Sequence, residues 1–241
     1  MQLPNEIDWN NKPLALQCPY SSCGICLHVG NEADFDGGCP TCKSVKGGRA
    51  CWPNPRWLSA NDDLVFLYNN ARPELATIVG ASYFEGCLRS FLWHAMYFVW
   101  DDTRWRPRGV KGFDPEEIRL NQACYEKIHH ILQDRKYRGW RKRANKLCPR
   151  VLGEPFDDLV RKHIDNCDDF FVNRDNIHEW RNELLHSGHP MTETWPDDLK
   201  TRCLRATVEF MRQCWEVFRV LQNEYIARPM AERQGAAQPH C

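Results

Sequence analysis

The stretch "CPYSSCGICLHVGNEADFDGGCPTC" restricts this chain more than any other. It holds two Cys-x2-Cys hooks, Cys23–Cys26 and Cys39–Cys42, separated by a loop of 12 residues, with Cys18 ahead of them. Two such hooks offer four thiolates at the spacing of a tetrahedral site, and thiolate sulfur suits Zn²⁺. The loop between is rich in Gly, Asp and Asn, as a short β-hairpin connection would be. So short a segment buries little apolar surface, so its folding depends on the metal. The spacing predicts a zinc ribbon over residues 14–52, within a module of residues 1–55, held by four of Cys18, Cys23, Cys26, Cys39 and Cys42. "CPYSSCG" and "CPTCK" are also matching hooks, so Cys18 could replace Cys26 as the fourth ligand. Cys51 is spare, and the remaining seven of the 13 cysteines fall among apolar positions, where a thiol acts as a small core residue.

After the Pro- and Trp-bearing connector "CWPNPRWLSAND" the hydrophobic period becomes helical. "PELATIVGASYFEGCLRSFLWHAMYFVW" carries enough apolar residues to be buried on most sides. "FDPEEIRLNQACYEKIHHIL" opens with Asp114 as N-cap and Pro115 at the first helical position, and its stripe is Ile118, Tyr125, Ile128 and Leu132. In "EPFDDLVRKHIDNCDDFF", Phe156, Leu159, Val160, Ile164, Cys167 and Phe171 recur at three- and four-residue steps. A last long helix starts near Asp197 and aligns Leu204, Val208, Met211, Trp215, Phe218 and Tyr225. The expected fold is all-α: an up-and-down bundle of about five main helices over residues 56–227, with a small N-terminal zinc-ribbon module. The tail, residues 228–241, is expected to be disordered.

The formal net charge is zero, so attraction to nucleic acid or membrane must be local. The N-terminus has no basic start followed by an apolar run, and "FLWHAMYFVW" is about half the length of a membrane span, so a cytoplasmic protein is expected.

The stretch "EWRNELLHSGHP" is the one that suggests chemistry. It reads as helix that stops at once, with Gly188 available for a left-handed C-cap and Pro190 unable to continue. Asn182 and His186 lie at i, i+4 and share a face, and the negative end of the helix dipole favours a protonated imidazole there. Arg181 is a cation that does not lose its proton, and His186 supplies an imidazole, the side chain suited to moving protons at neutral pH. The pair suits phosphodiester opening: the histidine moves a proton and the arginine braces the phosphorane charge. With the ribose 2′-hydroxyl as nucleophile no metal is needed, which restricts the chemistry to RNA.

The motif "RNELLH" at a helix end resembles that of the HEPN family, and the likeness extends to the helical layout of residues 60–226. The resemblance implies an all-α domain and metal-independent endoribonuclease activity of the toxin or immune-effector (antiviral defence) type. It implies Arg181 and His186 as the catalytic pair and Asn182 as the residue orienting them. It further implies a homodimer that joins two motifs in one cleft, and a control partner: an antitoxin, or an Argonaute-type or CRISPR-type sensor. The bare Arg-x4–6-His spacing occurs three times, but only Arg181–His186 has a polar neighbour and a helix stop; Arg89–His94 lies in the most apolar helix and Arg233–His240 in the tail.

Residues 135–150, "RKYRGWRKRANKLCPR", carry eight Lys or Arg and no acid, with Tyr137 and Trp140 interleaved. Arg138, Trp140, Arg141, Lys142 and Arg143 are the RNA-binding candidates: cations for phosphates, rings for unstacked bases. Arg104, Trp105, Arg106 and Arg108 repeat the pattern upstream. The same stretch could instead be a solvated loop paired with the acidic run Glu154 to Asp169. The alternative function is a catalytically silent helical adaptor that binds a protein or nucleic-acid partner. In that case His186 would not face an open cleft beside Arg181.

Overall fold

A computed structural model describes residues 18–45, 49–52, 55–99, 115–187 and 196–236. Asp114, the Arg104–Arg108 cluster and the Gly188–Pro190 stop lie outside these residues.

The N-terminal module is a three-stranded antiparallel sheet of order β2-β1-β3, from β1 (Tyr20–Cys23), β2 (Val29–Asn31) and β3 (Arg49–Cys51). Tyr20 pairs with Asn31 across one edge of β1, and Ser21 pairs with Cys51 across the other.

The rest of the described chain is helical, as the periodicity predicts. The long elements are α1 (Pro55–Asn69), α2 (Pro73–His94) and α3 (Pro115–Gln133). The short helices α4 (Trp140–Lys142), α5 (Cys148–Leu152) and α6 (Phe156–His163) come next. Then come α7 (Asp168–Ser187), α8 (Asp197–Gln222) and α9 (Arg228–Ala236). Helix α2 is the central element and packs on α1, α7 and α8. Its small residues permit this: a Cβ added to Gly80 would stand 2.7 Å from Thr207 Cγ2, so the α2 backbone runs hard against α8. Phe84, fully buried on α2, is the hub of an aromatic core. The rings of Trp140, Phe156, Phe170, His178, Phe210 and Phe218 all lie 5.7–6.1 Å from it. Such centroid separations are those of favourable edge-on and tilted ring pairs.

Among the described residues three helical runs contain a π turn, at Ala95–Val99, Arg143–Leu147 and Asn223–Ala227. A π turn inserts one residue and so rotates the face presented by the helical turns beyond it. The third carries α8 into α9, so the helix continues where a disordered tail is expected. Arg233 on α9 donates from Nη1 and Nη2 to the carbonyls of Phe98 and Val99 at 2.9 and 2.8 Å. These bonds tie α9 to the π turn that follows α2.

Two stripes differ from expectation. The run from Phe156 to Phe171 is not one helix: α6 stops at Ile164, whose backbone is extended, and Asn166 takes a left-handed turn with φ 54° before α7. The buried positions recur because both short segments return to the same core. Tyr125 is 52% exposed and meets Trp93 edge-on at the rim rather than joining Ile128 and Leu132 inside. No helix among the described residues is long and apolar enough to cross a membrane.

Candidate functional site

The two cysteine hooks fold the same way. In the first, Leu27 N donates to Cys23 O at 3.0 Å and Cys23 N to His28 O at 2.7 Å. In the second, Lys43 N donates to Cys39 O at 2.9 Å and Cys39 N to Ser44 O at 3.0 Å. The fourth residue after each leading cysteine takes positive φ, 63° at Leu27 and 59° at Lys43. This repeat turns four thiols inward: the Sγ atoms of Cys23, Cys26, Cys39 and Cys42 all lie within 4.8 Å of one another. The set is compatible with a structural metal site. Of the two alternatives for the fourth ligand, Cys26 is the one in the cluster, and Cys18 lies outside it. Cys18 packs against the main helical core instead. Ala227 and Met230, from the last helical run, pack against the cysteine cluster.

The second centre is an open cleft of about 500 Å³. One wall is the Arg138–Arg143 segment; the other is Glu85 of α2 with His178, Arg181 and Asn182 of α7. Gly139, with φ 84°, sits in the left-handed region, which a side chain would strain, and turns the chain into α4. His178, Arg181 and Asn182 fall at i, i+3 and i+4, hence on one face of α7. The structure thus brings the five RNA-binding candidates together with two of the three catalytic candidates. The third, His186, is exposed one turn further along α7, beyond the cleft walls.

Three details correct the expectations drawn from sequence. Trp140 is half-buried and already engaged: His178 stacks on it at 4.8 Å and 26°, and the Arg174 guanidinium lies 4.6 Å from its centroid. A base cannot use that ring without displacing these contacts. Tyr137 is buried and accepts a hydrogen bond from Arg150 Nη1 at 2.9 Å, so it is part of the wall's support. Two acids of the acidic run are engaged outside the basic one: Glu154 pairs with Lys162, and Asp157 with Arg174. Among the described residues Arg138, Arg141, Lys142 and Arg143 form no ion pair with those acids.

Charge inside the cleft is nevertheless not all positive. Arg181 Nη1 donates to Glu85 Oε1 at 2.9 Å, with both side chains about a quarter exposed. Arg143, half-buried, gives Nη2 to Leu132 O at 3.4 Å, and its Nε is buried with no partner. His178 is the residue that sequence reasoning does not reach. It is 2% exposed, and neither ring nitrogen has a hydrogen-bond partner. Burial, then the fields of Arg181, Arg174 and Arg141, holds its pKa down to about 3, so the imidazole is neutral. The signal that could have found it is its spacing to Arg181 and Asn182.

No family model matches the chain, and neither curated proteins nor solved structures show a significant similarity to it.

Proposed function

We propose that the chain is a metal-independent endoribonuclease whose substrate lies along the cationic cleft. The observation that carries this reading is the convergence of Arg181 and Asn182 with Arg138, Arg141, Lys142 and Arg143 around one cleft. Those residues are far apart in sequence and are candidates for two separate reasons, phosphate binding and catalysis.

In the proposed step the ribose 2′-oxygen attacks the adjacent phosphorus. A P–O2′ bond forms and the P–O5′ bond breaks. The 2′-hydroxyl proton passes to the His186 imidazole, and the imidazolium so formed gives a proton to the departing 5′-oxygen, leaving 2′,3′-cyclic phosphate and 5′-hydroxyl ends. Arg181 stabilises the charge on the phosphorane, Asn182 orients the site, and His186 moves the proton. Asn182 and His186 are both exposed at the end of α7, so a second copy of that helix end could complete the cleft in a homodimer. Such an enzyme acting in the cytoplasm would require a control partner.

The metal is proposed to be Zn²⁺ in a purely structural role. Four sulfurs at about 2.3 Å from a tetrahedral Zn²⁺ stand about 3.8 Å apart. The Cys23–Cys42 and Cys26–Cys39 sulfurs are 3.8 and 3.5 Å apart. A full set of four thiolates leaves no position for an activated water.

The Arg181–Glu85 ion pair, and the position of His186 beyond the cleft walls, favour the second reading, a helical adaptor that binds RNA or a protein without cutting. RNA cleavage by the purified chain in EDTA, compared with His186→Ala, separates the two. The enzyme leaves cyclic phosphate ends, and the substitution costs several orders of magnitude. The adaptor binds and leaves the RNA whole. Cleavage that needs Mg²⁺ and leaves 5′-phosphate ends would contradict the mechanism.

A further inference from the structure

The cleft contains two buried nitrogen-bearing groups with nothing to bond to: Arg143 Nε and the His178 ring. Buried polar groups are normally satisfied, and leaving one unpaired costs free energy. Two such groups on opposite walls of one cleft, with Arg141 and Arg181 beside them, point to an absent acceptor. An anion with several oxygens is the acceptor that suits so cationic a lining. The guanidiniums and an imidazole N–H offer donors from more than one direction, which a tetrahedral oxyanion can take. The Glu85 carboxylate already accepts from Arg181 in this cleft, as a small internal anion.

We propose that the cleft is a phosphate-binding site in which Arg143 and His178 are the inner donors and Glu85 holds Arg181 until a phosphate oxygen replaces it. The inference deepens the ribonuclease reading and rests on it only for the bearer of the phosphate. His178 stacks on the Trp140 ring, and a ring nitrogen bonds in the plane of the imidazole rather than through the stacked face. Neutral His178 donates from one nitrogen at no cost in charge. Exchange of Glu85 for phosphate leaves Arg181 paired throughout. Glu85→Gln keeps the shape of that side chain and removes the competing charge.

Calorimetric titration with inorganic phosphate, and separately with a 2′-O-methylated RNA oligonucleotide that cannot be cut, tests the site. Glu85→Gln should bind phosphate about tenfold more tightly, because like charges no longer meet across the site. His178→Phe should keep the stack on Trp140, hold or raise the melting temperature, and bind phosphate about tenfold more weakly, in the range of a lost hydrogen bond. Should that variant disturb the stack, Arg143→Lys keeps the charge, lacks the Nε donor, and should weaken binding likewise. Phosphate that competes with the oligonucleotide identifies the RNA backbone as the bearer; phosphate that binds without competing identifies the free ion. Phosphate affinity unmoved by all three substitutions, or absent in the wild type, overturns the site and leaves the ribonuclease reading standing. Phosphate binding that responds as stated, in a protein that cuts no RNA, keeps the site and removes the ribonuclease reading.

Discussion

The side-chain amide of Asn223 makes to Val29 the two hydrogen bonds that a neighbouring strand would make. Val29 N donates to Asn223 Oδ1 at 2.7 Å, and Asn223 Nδ2 donates to Val29 O at 2.8 Å. β2 is an edge strand, and an edge leaves backbone groups without partners. Here the end of α8 supplies them. Gln222 continues the seam by donating to Leu27 O at 2.8 Å, and Tyr20 OH donates to Glu216 at 2.8 Å. Asn223→Ala should cost about 1–3 kcal/mol, the range for stranding buried partners. Asn223→Asp should cost at least as much, since a carboxylate would face the Val29 carbonyl. Urea denaturation measures both; a change for Asn223→Ala within about 0.5 kcal/mol, as at an ordinary surface site, would mean that the seam does not hold the module.

That seam alters what metal loss should do. A ribbon attached by a connector would unfold alone and leave the helices as they were. Here Tyr20 and Val29 belong to the main core, while Ala227 and Met230 pack on the cysteine cluster. Removing the metal, or substituting Cys39 and Cys42 by Ser, should therefore destabilise the last helical run as well. The melting temperature of the whole chain should fall by roughly 5–10 °C, given about 2–4 °C per kcal/mol at this size. Hydrogen exchange should rise both in residues 18–45 and around Asn223–Ala227. Identical melting with and without a strong chelator, on protein shown by elemental analysis to contain zinc, would argue against this coupling.

The hooks, the helical texture and the basic run are legible in the sequence because each is a local pattern: spacing, period or composition. Cys18 misleads because spacing alone cannot show that its side chain turns to the helical core. The break at Ile164–Asn166 is hidden because burial recurs with the same step on both sides of it. The π turn after Gln222 carries no residue signature, so nothing in the sequence announces the tail helix. His178 escapes notice for a similar reason. In sequence it stands beside Ile177, and only the chain's return at Trp140 makes it part of a cleft wall. Local rules find the pieces; contacts that join them include Asn173 to Gln213, 40 positions apart, and Gln222 to Leu27, 195 positions apart.

The approach of α2 to α8 at Gly80 is tight enough to test by a double substitution. Gly80→Ala would place a methyl 2.7 Å from Thr207 Cγ2, and Thr207 is fully buried with its hydroxyl tied to Cys203 O at 2.8 Å. Overpacking of this kind costs about 1–3 kcal/mol, outweighing the roughly 1 kcal/mol by which Ala is the better helix residue. Thr207→Ser removes the offending methyl and keeps the hydroxyl. Gly80→Ala should therefore destabilise the wild type and be partly rescued in Thr207→Ser. Purely additive effects in the thermodynamic cycle would show that the helices separate to admit the methyl at no specific cost.

The buried histidines set a pH dependence with a definite sign. His178 and His94 have native pKa values held down to about 3 and about 4, against an ordinary value of 6.5, with burial the leading cause in each. The native state therefore leaves both neutral at pH values where the unfolded chain already binds protons. Their contribution is fully present above pH 6.5 and is lost as the pH falls toward those native values. Each histidine adds up to about 1.4 kcal/mol per pH unit to the slope once the unfolded form is protonated. Between about pH 5 and 6.5 the carboxylates are still ionised and the histidine contribution stands clear of them. Urea midpoints across that window should fall with acidification in the wild type. In His178→Phe the slope should lessen by one proton, and calorimetric unfolding in buffers of different ionisation enthalpy should count one proton fewer taken up. An unchanged slope in that variant would mean that His178 is protonated in the native state, and with it the neutral-donor role at the cleft would fail.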